Sequence, residues 1–311
     1  MMIPVVVVAG ATASGKTALS IELAKRLDGE IVSCDSMQIY KGMDIGTAKP
    51  TKSEMDGIPH YMIDILNPDE NFSVAEFCDM ARKIISDIQK RGKLPILVGG
   101  TGLYIDSLIN NIEFSEEIGK DEVREELFEL AEKEGNDAVY NILLEIDPEY
   151  AEKVHKNNLK RVIRAIELYR TTGMTVTEHN RLEKTPIYNS IYFCINWDRD
   201  ILYERINKRV DLMISSGLEA EAKRLYDSYG NKKLTSLQSI GYKEFFDFFE
   251  GKISLNDAID EIKQNSRRYA KRQLTWFRRN SRIHWLSPDE HTVDNALEII
   301  TKSLTEAPPL A

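Results

Sequence analysis

Two glycines, a lysine and a threonine near the start of the chain have the spacing of a phosphate-binding loop. Residues 10–17 read Gly-Ala-Thr-Ala-Ser-Gly-Lys-Thr and fit the pattern Gly-x-x-x-x-Gly-Lys-Thr. Gly10 and Gly15 let the backbone curl so that successive N–H groups point at an anion. Lys16 adds a positive charge, and the Thr17 hydroxyl can bind Mg²⁺. The segment predicts a polyphosphate-binding P-loop made of Gly10, Ala11, Thr12, Ala13, Ser14, Gly15, Lys16 and Thr17.

The residues around the P-loop supply the elements that position it. Four consecutive valines at residues 5–8 are typical of a parallel strand that is buried on both faces. A helical pattern over residues 17–27 presents its N-terminus to the loop. Further strands are predicted at residues 30–35, 94–98, 191–196 and 283–286, with helical patterns between them. This alternation predicts an α/β fold, a P-loop NTPase-like parallel sheet flanked by helices, whose ligands bind beyond the carboxyl ends of the strands.

Asp35 and Thr101 follow two of these strands and are expected at the same edge of the sheet as the P-loop. Strand 94–98 ends in glycines and a threonine, not in the acidic Mg²⁺ ligand of an ordinary ATPase. Asp35 is therefore either a metal ligand or a general base, and the spacing does not choose between them. We interpret the polar loop after Asp35 as functional, because Gln38 can read a base edge and Lys49 lies just past the sheet edge.

Composition narrows the class of protein. The three cysteines are isolated, without CxxC pairs, which suits a reducing cytosol and predicts no zinc site. No segment approaches the roughly 20 apolar residues of a membrane span, and the N-terminus lacks the features of a signal peptide. We expect a soluble, cytoplasmic protein without a membrane partner.

Charge is distributed unevenly along the chain. The net charge of −9 argues against nucleic-acid binding, but residues 113–152 alone hold 15 acidic and three basic residues. Residues 112–186 look helical and predict an inserted domain, which leaves 1–111 with 187–311 as the catalytic core. Clustering, not net charge, is what a phosphate backbone recognises.

A basic segment near the C-terminus contrasts with the acidic insertion. Residues 263–282 contain eight basic residues and no acid, interleaved with Tyr269, Trp276 and Phe277. These aromatic side chains can bury against the core or stack on bases. The pattern favours nucleic-acid contact, whereas Arg161 and Arg164 in the insertion are by themselves more typical of a solvated helix face.

Arg205 and Arg209 lie one helical turn apart after the fourth predicted strand. Either can stabilise a departing phosphate group, as arginines do in phosphoryl transfer. Salt bridges to Glu204 or Asp211 explain the two arginines equally well at this stage.

These segments together resemble the tRNA dimethylallyltransferase family, also called tRNA isopentenyltransferase. The resemblance runs from residue 10 to residue 279, and the combination of segments is specific where the P-loop alone is generic. Ala11 stands where the family usually has proline, and Lys160 where it usually has glutamine. The matching segments are the P-loop and residues 35–38, 45–50, 99–104, 161–165, 240–244 and 271–279.

The resemblance implies transfer of a dimethylallyl group from dimethylallyl diphosphate to N6 of adenosine 37 in tRNA, with Mg²⁺ as cofactor. It implies that Asp35 takes the N6 proton, that Thr101 orients the base or a phosphate, and that Arg209 neutralises the diphosphate. It also implies a bacterial-type, cytoplasmic monomer. The tRNA contacts that it implies are Asp35, Ser36, Met37, Gln38, Thr101, Arg124, Lys160, Arg161, Arg164, Tyr242, Lys243, Arg268, Lys271 and Arg272.

Other classes of P-loop protein stay open on the residues alone. A small-molecule kinase shares the P-loop and the sheet but does not need the basic segment at 263–282. A prenyltransferase of free adenine nucleotides keeps Asp35 and the P-loop, and there too the basic segment is surplus. An RNA-binding GTPase-like switch is disfavoured because the chain has no Asn-Lys-x-Asp motif.

Overall fold

The computed structural model of the chain describes residues 3–112, 120–182, 186–230, 232, 234–289 and 291–305. Its strands are β1 (Ile3–Ala9), β2 (Gly29–Ser33), β3 (His60–Tyr61), β4 (Leu94–Gly99), β5 (Tyr188–Ile195) and β6 (Ile283–Leu286). They form one sheet in the order β3-β2-β4-β1-β5-β6, and every neighbouring pair is parallel. The predicted α/β fold with a parallel sheet is confirmed.

The chain divides into two compact units, which we call the core unit (Met1–Asn111 with Pro186–Ala311) and the insertion unit (Ile112–Thr185). The helices of the described residues are α1 (Lys16–Arg26), α2 (Lys52–Met55), α3 (Val74–Lys90), α4 (Gly102–Ile109), α5 (Lys120–Glu134), α6 (Asn136–Ile146), α7 (Pro148–Ala151), α8 (Leu159–Thr172), α9 (Val176–Arg181), α10 (Arg199–Ser215), α11 (Leu218–Tyr229), α12 (Lys243–Phe249), α13 (Leu255–Phe277) and α14 (Thr292–Thr305). No described helix has both the length and the apolar character needed to cross a membrane.

Strand β1 forms the centre of the core unit. Its valines at residues 5–8 are 0% exposed, and β1 pairs with β4 on one side and β5 on the other. Leu23 of α1 and Ile300 of α14 belong to the same apolar cluster as Val6 and Val8. An uninterrupted run of β-branched residues is stable here because neither face of the strand meets water.

The carboxyl ends of three neighbouring strands come level at one edge of the sheet. Ala9 pairs with Gly99, and Ser33 pairs with Val98, so the segments that follow β1, β2 and β4 begin side by side. Gly99 permits this approach, because a Cβ at that position would lie 2.3 Å from the carbonyl oxygen of Cys34. The sheet therefore brings the P-loop, Asp35 and Thr101 to one edge.

Local signals in the sequence match the observed elements closely, with one omission. Helix α3 begins after Ser73, whose side chain forms the capping box with Glu76. Strand β3 was not predicted, since it has two residues and no alternation. It is held by pairing with β2 and by the hydrogen bond from Tyr61 Oη to the Glu30 carboxylate (2.8 Å). The insertion consequently falls between β4 and β5, the fourth and fifth strands.

The insertion unit has its own apolar core. Leu127 of α5, Val139 and Leu143 of α6, and Val162 and Ile166 of α8 are fully buried against one another. The unit thus packs as a small helical bundle.

Candidate active site

The P-loop is fixed by side chains that donate to its carbonyl oxygens. A carbonyl that is held from the protein side orients the adjoining amides, which is how such loops are prepared for an anion. The three bonds run from Lys16 Nζ to Ala11 O (2.7 Å), from Arg205 Nε to Ala13 O (3.0 Å) and from Trp197 Nε1 to Ser14 O (2.8 Å).

The amides at the start of α1 are open. Gly15 has φ of 96°, a left-handed conformation that glycine adopts without strain, and it precedes the first turn of α1. Within the described part of the chain, the amides of Gly15, Lys16 and Thr17 donate to no other group. A helix N-terminus with open amides favours a negative charge, so this loop can bind a diphosphate.

Lys16 lies in a positive environment. Removal from water and the nearby Arg209 charge together lower the pKa of Lys16 to about 8, against an opposing effect of Asp35. The Lys16 ammonium and the Arg209 guanidinium are two neighbouring cations that share one carboxylate, Asp35. An anionic ligand between them would relieve their repulsion.

Arg205 and Arg209 do different things. Arg205 stacks on Trp197, with its guanidinium 4.3 Å from the ring centroid, and supports the P-loop through Ala13. Arg209 donates to Thr12 Oγ1 (3.4 Å) and lines both clefts described below. The alternative of salt bridges to Glu204 and Asp211 is wrong, since those carboxylates pair with Lys208 (2.8 Å) and Lys263 (2.6 Å).

Asp35 lies two residues beyond β2. One carboxylate oxygen, Oδ1, accepts from the amide of Met37 (2.9 Å), and Oδ2 makes no hydrogen bond with a described residue. The described residues contain no group of three or more His, Cys, Asp or Glu side chains that could hold a metal. Asp35 is thus oriented by one oxygen and free to take a proton on the other.

Thr101 extends the same edge. Its hydroxyl accepts from the amide of Ser36 (3.2 Å) and lies 3.4 Å from Ser36 Oγ. The phenol of Tyr269 on α13 interacts with Thr101 and Gln273, and burial raises the pKa of Tyr269 to about 12. Thr101 therefore links the segment that carries Asp35 to α13.

Two clefts open on either side of Lys16. The first, of about 470 Å³, is lined by Asp35, Ser36 and Met37 and by Tyr269 of α13. Asp35 is the one carboxylate among the described residues that line it. The second, of about 610 Å³, is lined by the P-loop from Ala13 to Thr17 and by Arg205 and Lys208. The residues lining both clefts are Lys16, Thr17, Ala48 and Arg209.

The loop between residues 36 and 50 contributes to the lining of both clefts, and several of its polar side chains bond to the loop itself. Gln38 donates from Nε2 to the carbonyls of Thr47 (3.3 Å) and Ala48 (3.2 Å). The Lys49 side chain is 5% exposed, pairs with Asp44 and Asp64, and donates to Tyr40 O (2.8 Å). Lys49 thus stabilises the loop, and the amide of Gln38 is occupied in this conformation.

Tyr242, predicted from the resemblance as a tRNA contact, lies in the core. It is 0% exposed, and its hydroxyl donates to Glu221 Oε1 (2.7 Å). Gly46 leaves room for the ring, since a Cβ there would lie 2.5 Å from Tyr242. This burial contradicts a direct contact of Tyr242 with RNA. The neighbouring Lys243 does line the first cleft.

Helix α13 separates its polar and apolar sides. Arg268, Lys271 and Arg272 are exposed, and among the described residues none of the three pairs with a carboxylate. On the other side, Phe277 is buried, and Trp276 donates to Asp106 on α4 (2.7 Å). The aromatic residues at 276 and 277 therefore anchor the helix, and its cations face solvent.

The cations predicted in the insertion unit are arranged differently from those of α13, because two of them bind a carboxylate. Arg124 and Arg164 both bind the carboxylate of Glu167 (2.9 and 3.0 Å), which is 1% exposed. Arg124, Arg164 and Glu167 line a small pocket, and Lys160 lines it too. Arg161 is exposed. Three cations around one carboxylate leave a local excess of positive charge.

Sequence reasoning missed Gln273, which contacts the P-loop from α13. Its amide oxygen accepts from Thr12 N (2.9 Å). The available signal was its position four residues after Tyr269, on the side of the helix opposite the exposed cations.

Fold and site together define a P-loop protein whose phosphate loop opens onto a cleft with a single described carboxylate, beside a cationic helix. The family model described as "IPP transferase" matches residues 38–280. The chain is 55% identical over 282 residues to the tRNA dimethylallyltransferase of Bacillus cytotoxicus, an alignment that covers 90% of this chain and 89% of that protein.

Solved structures of tRNA-modifying transferases are also similar to this chain. A tRNA isopentenylpyrophosphate transferase from Bacillus halodurans superposes with a TM-score of 0.73 at 45% identity and covers 97% of both chains. A eukaryotic dimethylallyltransferase acting on tRNA gives a TM-score of 0.83 at 31% identity, with 99% of this chain and 81% of that chain covered. The chain belongs to the tRNA dimethylallyltransferase family.

Proposed function

We propose that this protein transfers the dimethylallyl group of dimethylallyl diphosphate to N6 of adenosine 37 in tRNA and releases diphosphate. The observation that carries the proposal is the position of Asp35, which lines one cleft with Lys16 and Arg209. A proton acceptor and a diphosphate-binding loop are the two parts that such a transfer requires. The enzyme would act in the cytoplasm, where tRNA is found, as a monomer.

The proposed chemistry is a displacement at C1 of the allyl group. The lone pair of N6 forms the new bond to C1, and the C1–O bond breaks, with its electron pair leaving on the diphosphate. N6 loses one proton, which Asp35 takes on Oδ2. General base catalysis of this kind contributes roughly 10²–10⁴-fold.

The leaving diphosphate gains negative charge as the C1–O bond breaks. The open amides of the P-loop, Lys16 and Arg209 would neutralise it, and Arg205 would hold the loop in place from behind Ala13. Since a leaving group occupies this loop, a water-activating residue of the hydrolytic type is not required.

Thr17 would hold Mg²⁺. Thr17 lines both clefts, and its hydroxyl makes no hydrogen bond with a described residue. Mg²⁺ usually keeps several waters and binds through one or two protein oxygens plus substrate phosphates, so this donor set fits. When bound, the ion supplies positive charge beside the diphosphate.

The adenine must leave its stack in the anticodon loop to reach the first cleft, so we propose that it is flipped out. Ser36 and Met37 line the cleft that would receive the base, with Thr101 behind Ser36. The exposed cations Arg268, Lys271 and Arg272 would bind phosphates of the RNA backbone. Lys243 and, in the insertion unit, Arg124, Lys160, Arg161 and Arg164 are proposed as further RNA contacts.

The test is a transfer assay on unmodified tRNA that carries adenosine at positions 36 to 38, with Mg²⁺ and dimethylallyl diphosphate. Nucleoside mass spectrometry compares wild type, Asp35→Asn and the control Asp69→Asn, an exposed carboxylate in a loop. We expect N6-dimethylallyladenosine from wild type and from the control. Asp35→Asn is expected to lower the rate by roughly 10²–10⁴-fold.

Each other outcome has a distinct meaning. Undiminished product from Asp35→Asn would keep the reaction and remove the base role of Asp35. Absence of product from wild type, together with ATP turnover, would favour a kinase. Product on free adenine nucleotides but not on tRNA would favour the nucleotide prenyltransferase class.

A further inference from the structure

Gln273 is a buried amide that joins the ends of two strands. It lies on α13 and is 6% exposed. Its Oε1 accepts from the amide of Thr12 in the P-loop (2.9 Å), and its Nε2 donates to the carbonyl of Gly100 after β4 (3.0 Å). A side chain that satisfies one donor and one acceptor at once has a single orientation, because the flipped amide would lose both bonds.

The backbone is shaped around this side chain. A Cβ at Gly100 would lie 2.1 Å from Gln273 Nε2, so a larger residue there would displace the amide. Tyr269, one turn earlier on α13, interacts with both Gln273 and Thr101. The position of Gln273 is therefore set from both sides.

Each end of the amide leads to a different half of the site. Thr12 contacts Arg209 through its hydroxyl (3.4 Å) and belongs to the loop that would hold the diphosphate. Gly100 precedes Thr101, whose hydroxyl accepts from the amide of Ser36 (3.2 Å), next to Asp35. One side chain thus connects the P-loop with the edge that carries the carboxylate.

We infer that Gln273 is a positioning residue that sets the alignment of the diphosphate loop with Asp35. The inference rests on the proposed function, which assigns the two halves to diphosphate and base. Displacement of reacting groups by about 1 Å can cost roughly 100-fold in rate. Gln273 would act through Thr12 and Gly100, because both ends of its amide are bonded to the backbone.

The test compares Gln273→Met with Trp276→Phe. Methionine keeps the volume and removes both hydrogen bonds. Trp276→Phe removes one partly buried hydrogen bond on the same helix, to Asp106 on α4, and removes no bond to the P-loop. For each variant, kcat, KM for dimethylallyl diphosphate, KM for tRNA and the Kd of inorganic diphosphate are measured.

We expect Gln273→Met to lower kcat about tenfold and to weaken diphosphate binding about tenfold, since a buried amide loses its partner. KM for tRNA is expected to change less than about twofold, because the exposed cations of α13 are unaltered. Trp276→Phe is expected to leave diphosphate binding and kcat within about twofold of wild type.

Equal diphosphate affinity and kcat in Gln273→Met and wild type would overturn the inference. So would an equal loss in Trp276→Phe, which would assign the effect to a loosened helix. If Gln273→Met does not fold, Gly100→Ala displaces the same amide and is expected to give the same pattern. Lack of dimethylallyl product from wild type would reject the proposed function, while the diphosphate Kd still tests Gln273.

Discussion

Two segments of the core unit offer consecutive backbone amides to an anion, and they use them differently. In the P-loop, the amides of Gly15, Lys16 and Thr17 donate to no other described group. In the turn at residues 44–46, three amides donate to the carboxylate of Glu221 at 3.0 Å, and the Tyr242 hydroxyl is a fourth donor. The first segment is open to a ligand, whereas the second is filled by a buried anion of the protein itself.

The difference separates amides that are open to a ligand from amides that hold the protein's own loop in place. Glu221 holds the loop that includes Ala48, and Ala48 lines both clefts beside Lys16 and Thr17. One set of amides is thus open to a ligand, and the other helps to place Ala48 at the two clefts. Substitutions in the two segments are expected to separate activity from stability.

Lys16→Met gives the largest expected effect. The variant is expected to lower kcat/KM for dimethylallyl diphosphate by roughly 10²–10³-fold, because a charge beside the leaving group is lost. The free energy of unfolding is expected to change by no more than about 1 kcal/mol, since the lost bond to Ala11 O is offset by relief of a desolvated charge. Steady-state kinetics and urea denaturation measure the two. A loss of stability in parallel with the loss of activity would contradict the proposed difference between the P-loop and the Glu221 turn.

Glu221→Ala is expected to show the reverse of Lys16→Met, with a large loss of stability. It leaves three amides and a phenol without their carboxylate, which is expected to cost about 3–5 kcal/mol of unfolding free energy, because a buried donor left without a partner costs roughly 1–3 kcal/mol. Glu219→Ala, two residues earlier on α11, is the matched control and is expected to stay within about 0.5 kcal/mol of wild type. Chemical denaturation compares the variants. Wild-type stability in Glu221→Ala would show that water replaces the carboxylate at little cost.

Local sequence signals predicted the parts of this site that depend on neighbouring residues. The valine run and the glycine spacing of the P-loop are short-range patterns, and each lies in the observed element. The parallel sheet then follows from the alternation of strands and helices, and it brings Asp35 and Thr101 beside the P-loop.

The missed residues act over long distances in sequence. Gln273 binds Thr12 across 261 positions, and Glu221 binds Ile45 across 176. No periodicity indicates which polar residue on an inner helix face will meet a given loop. Tyr242 shows the opposite error, a residue predicted at the site that lies elsewhere. It adjoins the cleft-lining Lys243 but points into the core. Sequence spacing alone does not separate two such neighbours where a loop meets α12.

The pH dependence of diphosphate binding sharpens the contrast further, with a smaller effect. The pKa of Lys16 is lowered to about 8, so the free protein loses this charge as pH rises through 8. Below pH 8 the lysine is protonated and binding is expected to be independent of its titration. Above pH 8 the Kd of dimethylallyl diphosphate is expected to rise by up to about tenfold per pH unit, because a bound anion restores the proton. Cys194 and Tyr269, whose pKa values burial raises to about 12, stay protonated over this range.

Lys16→Arg is the control for this profile, since its guanidinium keeps its charge throughout. Binding measured by calorimetry from pH 7 to pH 9.5 is expected to be weaker in this variant but flat with pH. A flat profile in wild type would mean that the open amides and Arg209 hold the diphosphate without help from the lysine charge. The P-loop would then resemble the Glu221 turn more closely, because backbone amides would supply most of the binding of the anion.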